Sequence, residues 1–200
     1  MGTLTIKEGG QIANNSAMYG YSGSTDSWEY GGGGIYNKGR VIMEGGTISG
    51  NTAYYAAGGV YNRSIFEMSG GEISGNTLTS SHGSINGVLN LLTTSIMPEC
   101  KFCLSGSASI PKRATSPQNA IYLRQGAVIQ LDGPLDNNDF LFAGTLFGYN
   151  DNTEQKVIIN SAGMSKTEFQ TEVNSKFTKS TGITGTLAFA DSGEYAYIQD

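Results

Sequence analysis

The side chains equipped for chemistry are few, and their spacing is poor for it. His82 is the sole histidine in 200 residues. It sits in the polar stretch Ser80-Ser-His-Gly-Ser84 and reads as solvated, which leaves no histidine-rich metal site. Cys100 and Cys103 make one C-x-x-C. They lack the second pair or neighbouring histidines that zinc needs and the βαβ setting of a thioredoxin-like motif. A local disulfide and two free thiols both remain open. A glycosidase needs two or three carboxylates converging in a cleft; a lyase needs a base, usually beside calcium-holding acids. Over 41–76 the acids are Glu44, Glu67 and Glu72, and Glu44 aligns with Ser69 at a turn. Arg40 and Arg63 recur near strand starts without a carboxylate column beside them. No catalytic residue is predicted, and the chain is not expected to be an enzyme.

Oxygen donors suited to calcium cluster in Asp132, Asp136, Asn137, Asn138 and Asp139, and again in Asp151, Asn152 and Glu154. The first cluster lacks the alternating spacing of a calcium loop, and Asp and Asn are ordinary turn residues. No cofactor is therefore expected, calcium being the one candidate. Aromatics give a better lead. Tyr19, Tyr21, Trp28 and Tyr30 fall in one excursion with Asp26 and Glu29, and Tyr54 and Tyr55 fall in the next. Brought onto one face, such rings suit stacking on sugars or a protein hot spot. The alternative is that they pack against the flank and stiffen long loops.

The elements that would position these residues are repeats. Val41-Ile-Met-Glu-Gly-Gly-Thr-Ile48-Ser-Gly-Asn51-Thr is echoed 25 residues later by Phe66-Glu-Met-Ser-Gly-Gly-Glu-Ile73-Ser-Gly-Asn76-Thr. Leu4 to Ser16 is the same phrase with one extra residue, Phe102 to Ile110 is a degraded copy, and Val128 to Gly133 is a last echo. A second phrase, Gly-Gly-Gly-Ile35-Tyr-Asn37, returns as Ala-Gly-Gly-Val60-Tyr-Asn62, and more weakly at Val88-Leu-Asn90 and Ile121-Tyr-Leu. The unit reads as a strand, a Gly-Gly turn, a short strand ending at Asn, a variable excursion and a third strand. No such strand buries a face alone; stacking equivalent strands does. Apolar residues two apart then point inward. Ile12, Ile48 and Ile73 should form one aliphatic column, and Ile35 and Val60 another. Asn15, Asn51 and Asn76 should form one amide ladder, and Asn37, Asn62 and Asn90 a second, satisfying turn backbone. The surplus residues lie in excursions at about 16–30 and 77–97, which project as loops.

Composition agrees. Glycine numbers 29, proline 4 and charged residues 14%, which excludes a coiled coil and points to many tight turns. A net charge of −5, with no basic cluster, makes nucleic acid an unexpected partner. No apolar run reaches the ~20 residues that span a bilayer. The chain opens inside a repeat and reads as a fragment of a larger protein.

After Gly133 the composition shifts. Ser165-Lys-Thr-Glu168 has the form of a capping box, followed by Phe169, Val173 and Phe177 on one helical face. Gly185–Ala190 and Glu194–Ile198 read as a hairpin around Asp191-Ser-Gly193. The fold expected is all-β: a right-handed parallel β-helix over 1–133, then final irregular coils and a cap over 134–200.

Gly-Gly-Gly-Ile at 32–35 and Gly-Gly-Val at 58–60, alternating with Ile-x-x-Asn at 12–15, 48–51 and 73–76, resemble the paired motifs of polymorphic outer-membrane-protein repeats. That family has Phe where Ile stands here. The resemblance implies a right-handed parallel β-helix, secretion or display on a bacterial cell surface, and adhesion to glycans or to host or bacterial surface proteins. A carbohydrate-active β-helix enzyme and a passive stalk are the alternatives.

Overall fold

The computed structural model describes residues 2–18, 31–79, 85–91, 100–111, 119–124, 127–137, 140–145, 155–180, 183 and 185–199. Strands dominate. In chain order they are β1 (Thr3–Ile6), β2 (Gln11–Ala13), β3 (Ser16–Ala17), β4 (Ile35–Asn37), β5 (Arg40–Ser49), β6 (Thr52–Ala53), β7 (Val60–Asn62), β8 (Ile65–Ser74) and β9 (Thr77–Leu78). There follow β10 (Val88–Leu91), β11 (Lys101–Gly106), β12 (Ile121–Arg124), β13 (Val128–Leu135), β14 (Phe140–Thr145), β15 (Gln155–Asn160), α1 (Lys166–Lys176), β16 (Phe177–Lys179), β17 (Thr186–Phe189) and β18 (Tyr195–Gln199).

Among the described residues these strands form three sheets. A nine-stranded sheet runs β1-β5-β8-β11-β13-β15-β18-β17, with β2 also on β5; a six-stranded sheet runs β16-β14-β12-β10-β7-β4; and a three-stranded sheet runs β3-β6-β9. The chain visits the sheets in rotation, and every pairing up to β15 is parallel. The registers follow the repeat: Val41 pairs with Phe66 and Ile48 with Ile73, Ile35 with Val60, and Phe66 with Phe102. Met43, Ile48, Phe66, Ile73 and Phe102 are all inaccessible to solvent. Each such side chain contributes roughly 1.5–3 kcal/mol by leaving water, and a single apolar cluster links both larger sheets to Phe169 and Val173 of the helix.

Three local readings change. The Gly-Gly step is not a turn between two strands in β5 and β8. Each is one ten-residue strand whose register shifts around Glu44. The bend uses left-handed backbone, with φ of 75° at Gly46 and 83° at Gly71, which a residue bearing a Cβ adopts only at a cost. The repeat fades at Gly133, but parallel pairing does not: Ile129 pairs with Ile158 and Ile121 with Phe142, and the 133/134 boundary falls inside β13. Finally, Phe177 is not on the helix. The capping box is present, with Ser165 N–H donating to Glu168 Oε2 at 2.9 Å. However, α1 stops at Lys176, and Phe177 opens β16, its ring 5.2 Å from that of Phe140.

The closing hairpin of β17 and β18 is antiparallel and joins the large sheet through β15, also antiparallel. Direction therefore reverses at this end of the sheet.

Candidate functional site

Of the repeated asparagines, Asn37, Asn51, Asn62, Asn76 and Asn90 are buried and Asn15 is exposed, and they hold backbone together. Asn15 donates its backbone N–H at 3.0 Å and its Nδ2 at 2.9 Å to Asn51 Oδ1. Asn51 does the same to Asn76 Oδ1 at 3.0 and 2.9 Å, and its Nδ2 also donates to Ile12 O at 2.8 Å. In the second ladder Asn37 Nδ2 donates to Asn62 Oδ1 at 2.7 Å, and Asn62 Nδ2 to Asn90 Oδ1 at 2.8 Å. Cys100 joins this ladder, its thiol donating to Asn90 Oδ1 at 3.0 Å. Both cysteines are unbridged and buried, so of the two alternatives the free thiols stand.

Of the six aromatic candidates, Tyr19, Tyr21, Trp28 and Tyr30 lie outside the described residues. Tyr54 and Tyr55 follow β6 directly. Their rings meet edge to face, 4.7 Å apart at 83°, and Tyr54 keeps 40% of its surface exposed. The loop is tied down by Tyr54 N–H donating to Ala17 O at 3.0 Å. The second phrase supplies another aromatic column that its recurring Tyr signalled. Tyr36 and Tyr61 stack 5.1 Å apart, with Arg63 donating to the Tyr36 hydroxyl at 3.1 Å and Lys38 over the Tyr36 ring. Tyr61 is buried among Ala57, Ile85 and Leu89, so this column is flank packing rather than an open surface.

The structure also assembles acids that spacing did not bring together. Glu44, Glu67 and Asp132, with Ser69, Ser105 and Cys103, line a cleft of about 220 Å³ on the large sheet. Arg40 is not without a carboxylate: its Nη2 donates to both oxygens of Glu67 at 2.9 and 2.8 Å. The pair is part-exposed and holds the Glu67 carboxylate at one wall of the cleft. Burial first, then the charge of Asp132 and a hydrogen bond to it, push the Cys103 thiol up to about 12. Such a thiol stays protonated at neutral pH and is a poor nucleophile.

The calcium candidates are only partly in view. Asn137 braces a turn, its Nδ2 donating to Ser107 O at 3.1 Å and Ala108 O at 2.9 Å. Asn138, Asp139, Asp151, Asn152, Glu154 and His82 lie outside the described residues. Among the described residues no three His, Cys, Asp or Glu side chains group as metal ligands, and no helix is long and apolar enough to cross a membrane.

The class these observations define is an all-β protein with parallel sheets whose repeated asparagines bond to one another and to backbone. No protein-family profile, curated protein or solved structure matches the chain.

Proposed function

We propose that the chain is a right-handed parallel β-helix, secreted or displayed on a bacterial surface, that binds a glycan or a surface protein without catalysing a reaction. The rotation of the chain through three sheets, with parallel registers at the repeat spacing, supports the helical path. Parallel strands joined by crossovers in one sheet are nearly always right-handed. The observation that carries the binding role is the Tyr54–Tyr55 pair: edge to face and part-exposed at the end of β6, while Asn37, Asn51, Asn62, Asn76 and Asn90 of the two ladders are buried. Flat rings held rigid at low entropic cost are suited to sugar faces and protein hot spots. The test is binding of the purified chain to glycan and surface-protein arrays, beside Tyr54→Ala/Tyr55→Ala. A ligand whose affinity falls about tenfold or more in the double variant, as hot-spot residues behave, supports the reading. Absence of any ligand, or equal binding by the variant, overturns it.

A second reading rests on the acidic cleft. Glu44, Glu67 and Asp132 on one cleft are the raw material of a carbohydrate-active enzyme. It requires release of reducing ends from a polysaccharide and loss of that release in Glu44→Gln and Asp132→Asn. The salt bridge from Arg40, which engages both oxygens of Glu67, favours the binding reading.

A further inference from the structure

Where the six-stranded sheet gives way to the large one, β4, β7, β10 and β12 end side by side and β5, β8, β11 and β13 begin side by side. The second asparagine ladder ties this corner from the buried side. Asn37, Asn62 and Asn90 end or nearly end their strands, and their Nδ2 groups donate to Ile65 O, Lys101 O and Val128 O of the other sheet at 2.8, 3.0 and 3.0 Å. On the outer side the same corner carries cations. Lys38 and Arg40 lie between β4 and the start of β5, Arg63 follows β7, Lys101 opens β11 and Arg124 ends β12. Register sets them in line. Asn37 and Asn62 pair one residue before Lys38 and Arg63, Leu91 pairs with Arg124, and Arg40, Ile65 and Lys101 are partners across β5, β8 and β11. Five of the twelve Lys and Arg of a chain with net charge −5 thus gather along one corner, although the sequence scatters them.

These side chains are held in place and still reach water. Lys38 is exposed, with its ammonium 5.0 Å from the centre of the Tyr36 ring, and Arg63 donates to the Tyr36 hydroxyl. The Arg40 side chain is 50% exposed while it engages Glu67. Arg63, Lys101 and Arg124 are each part-exposed. Arg63 and Arg124 also hold partners within the chain. A guanidinium carries five N–H donors, so a bond that fixes its fork and a bond to a ligand coexist. Tyr36 and Tyr122 stand two residues before Lys38 and Arg124, on the same side of their strands, and are part-buried.

We propose that this line of cations is a binding track for an acidic polysaccharide whose rings carry carboxylate or sulfate. A line of like charges suits a linear polyanion. Neighbouring strands lie about 4.8 Å apart, close to the advance of one ring along an extended pyranose chain, so successive anions meet the cations in step. An extended acidic peptide falls out of step, because its side chains on one face recur at about 6.6 Å. A nucleic acid duplex fits poorly for two reasons. Specific duplex binders use about 6–10 phosphate contacts, and Glu44, Glu67 and Asp132 line the cleft beside Arg40, where they repel a second strand. The track lies along the corner of the two larger sheets and is independent of the Tyr54–Tyr55 loop after β6.

The test is fluorescence anisotropy of labelled oligogalacturonate and labelled dextran sulfate, each titrated with the intact chain, beside neutral dextran, polyglutamate and DNA at matched charge. Saturable binding of at least one acidic glycan is expected, weakening as salt rises. Binding of the first alone assigns carboxylate to the track, and binding of the second alone assigns sulfate. Lys38→Glu/Lys101→Glu should lower that affinity about tenfold or more. Lys7→Glu/Lys176→Glu makes the same change in net charge away from the corner and should bind as the native chain does. Arg124→Gln reads the track at another strand, with a several-fold loss expected, should the double variant fail to fold. The proposal is overturned if neither acidic glycan binds, if neutral dextran binds equally, or if the Lys7/Lys176 variant loses as much as the Lys38/Lys101 variant. Tighter binding of polyglutamate or DNA than of either glycan overturns it as well. Tyr54→Ala/Tyr55→Ala leaves binding at the track unchanged, so the two proposals fail separately.

Discussion

Replacing Asn62 with alanine tests how the interior is held. Asn62 is fully buried. Its Nδ2 donates to Ser64 O at 2.9 Å, Asn90 Oδ1 at 2.8 Å and Lys101 O at 3.0 Å, and its Oδ1 accepts from Asn37 Nδ2 at 2.7 Å. Its neighbours are not all orphaned by the change. Asn37 Nδ2 keeps Ile65 O at 2.8 Å, Asn90 Oδ1 keeps the Cys100 thiol, and Ser64 O keeps Lys101 N–H. The amide carries two hydrogens shared among the three acceptors, so what is lost is about two donated bonds and one accepted bond, worth about 1 kcal/mol each, and the expected destabilisation is about 3 kcal/mol. Asn15→Ala is the control. Asn15 is exposed, its backbone bond to Asn51 survives, and only the Nδ2 bond goes, so about 0.5 kcal/mol is expected. Equilibrium urea unfolding of both variants, with unchanged m-values, reads the difference. If Asn62→Ala lies within about 0.5 kcal/mol of Asn15→Ala, the ladder is not what secures the interior, and the reasoning fails.

Other consequences can be checked in the same way. Gly71→Ala should cost more than Gly9→Ala. Both have positive φ, which disfavours alanine by roughly 1–2 kcal/mol. A Cβ at Gly71 also meets Met43 Cε at 2.6 Å and Gly45 backbone at 2.7 Å, whereas one at Gly9 meets nothing within 4 Å; equal losses in thermal unfolding would refute this. Cys103, raised from 9.0 to about 12, binds its proton more tightly folded than unfolded. Its contribution is thus complete below pH 9 and declines as pH rises toward 12, and Cys103→Ala should flatten that alkaline limb of the stability profile. A thiol reagent should label the native chain slowly at pH 8 and faster after unfolding. Phe169→Ala, emptying a fully buried site on the helix, should cost about 3–5 kcal/mol by chemical denaturation.

Much of the strand pairing was legible because period and register are one quantity in this chain. The spacing from Val41 to Phe66 is the pairing of β5 with β8, and Phe102 and Ile129 pair even where the phrase has decayed. The bend within β5 was not legible, since a Gly-Gly step is written alike for a turn and for a bulge with left-handed backbone. The acidic cleft was hidden for a different reason. Asp132 of β13 shares the cleft with Glu67 of β8 across β11, and with Glu44 of β5 across both β11 and β8, beside a register shift between Leu104 and Gly106, and neither is a spacing that one copy shows. The Arg40–Glu67 pair joins different copies of the phrase, so reading down one column misses it. The tyrosine loop was legible in part: Tyr54 and Tyr55 stand together because they are adjacent in sequence.

Unequal intervals between rungs bear on how such a chain varies. Asn51 and Asn76 are separated by 25 residues, Asn15 and Asn51 by 36, yet both pairs bond at 2.9 Å. Loop-closure entropy rises only with the logarithm of length, so stretching the interval from 25 to 36 disfavours the closed state by about 0.3 kcal/mol. One lost side-chain hydrogen bond outweighs that. Insertions between rungs are therefore nearly invisible to stability, whereas one changed rung is not. Selection can lengthen, shorten or redecorate the intervals while the interior keeps its alignment.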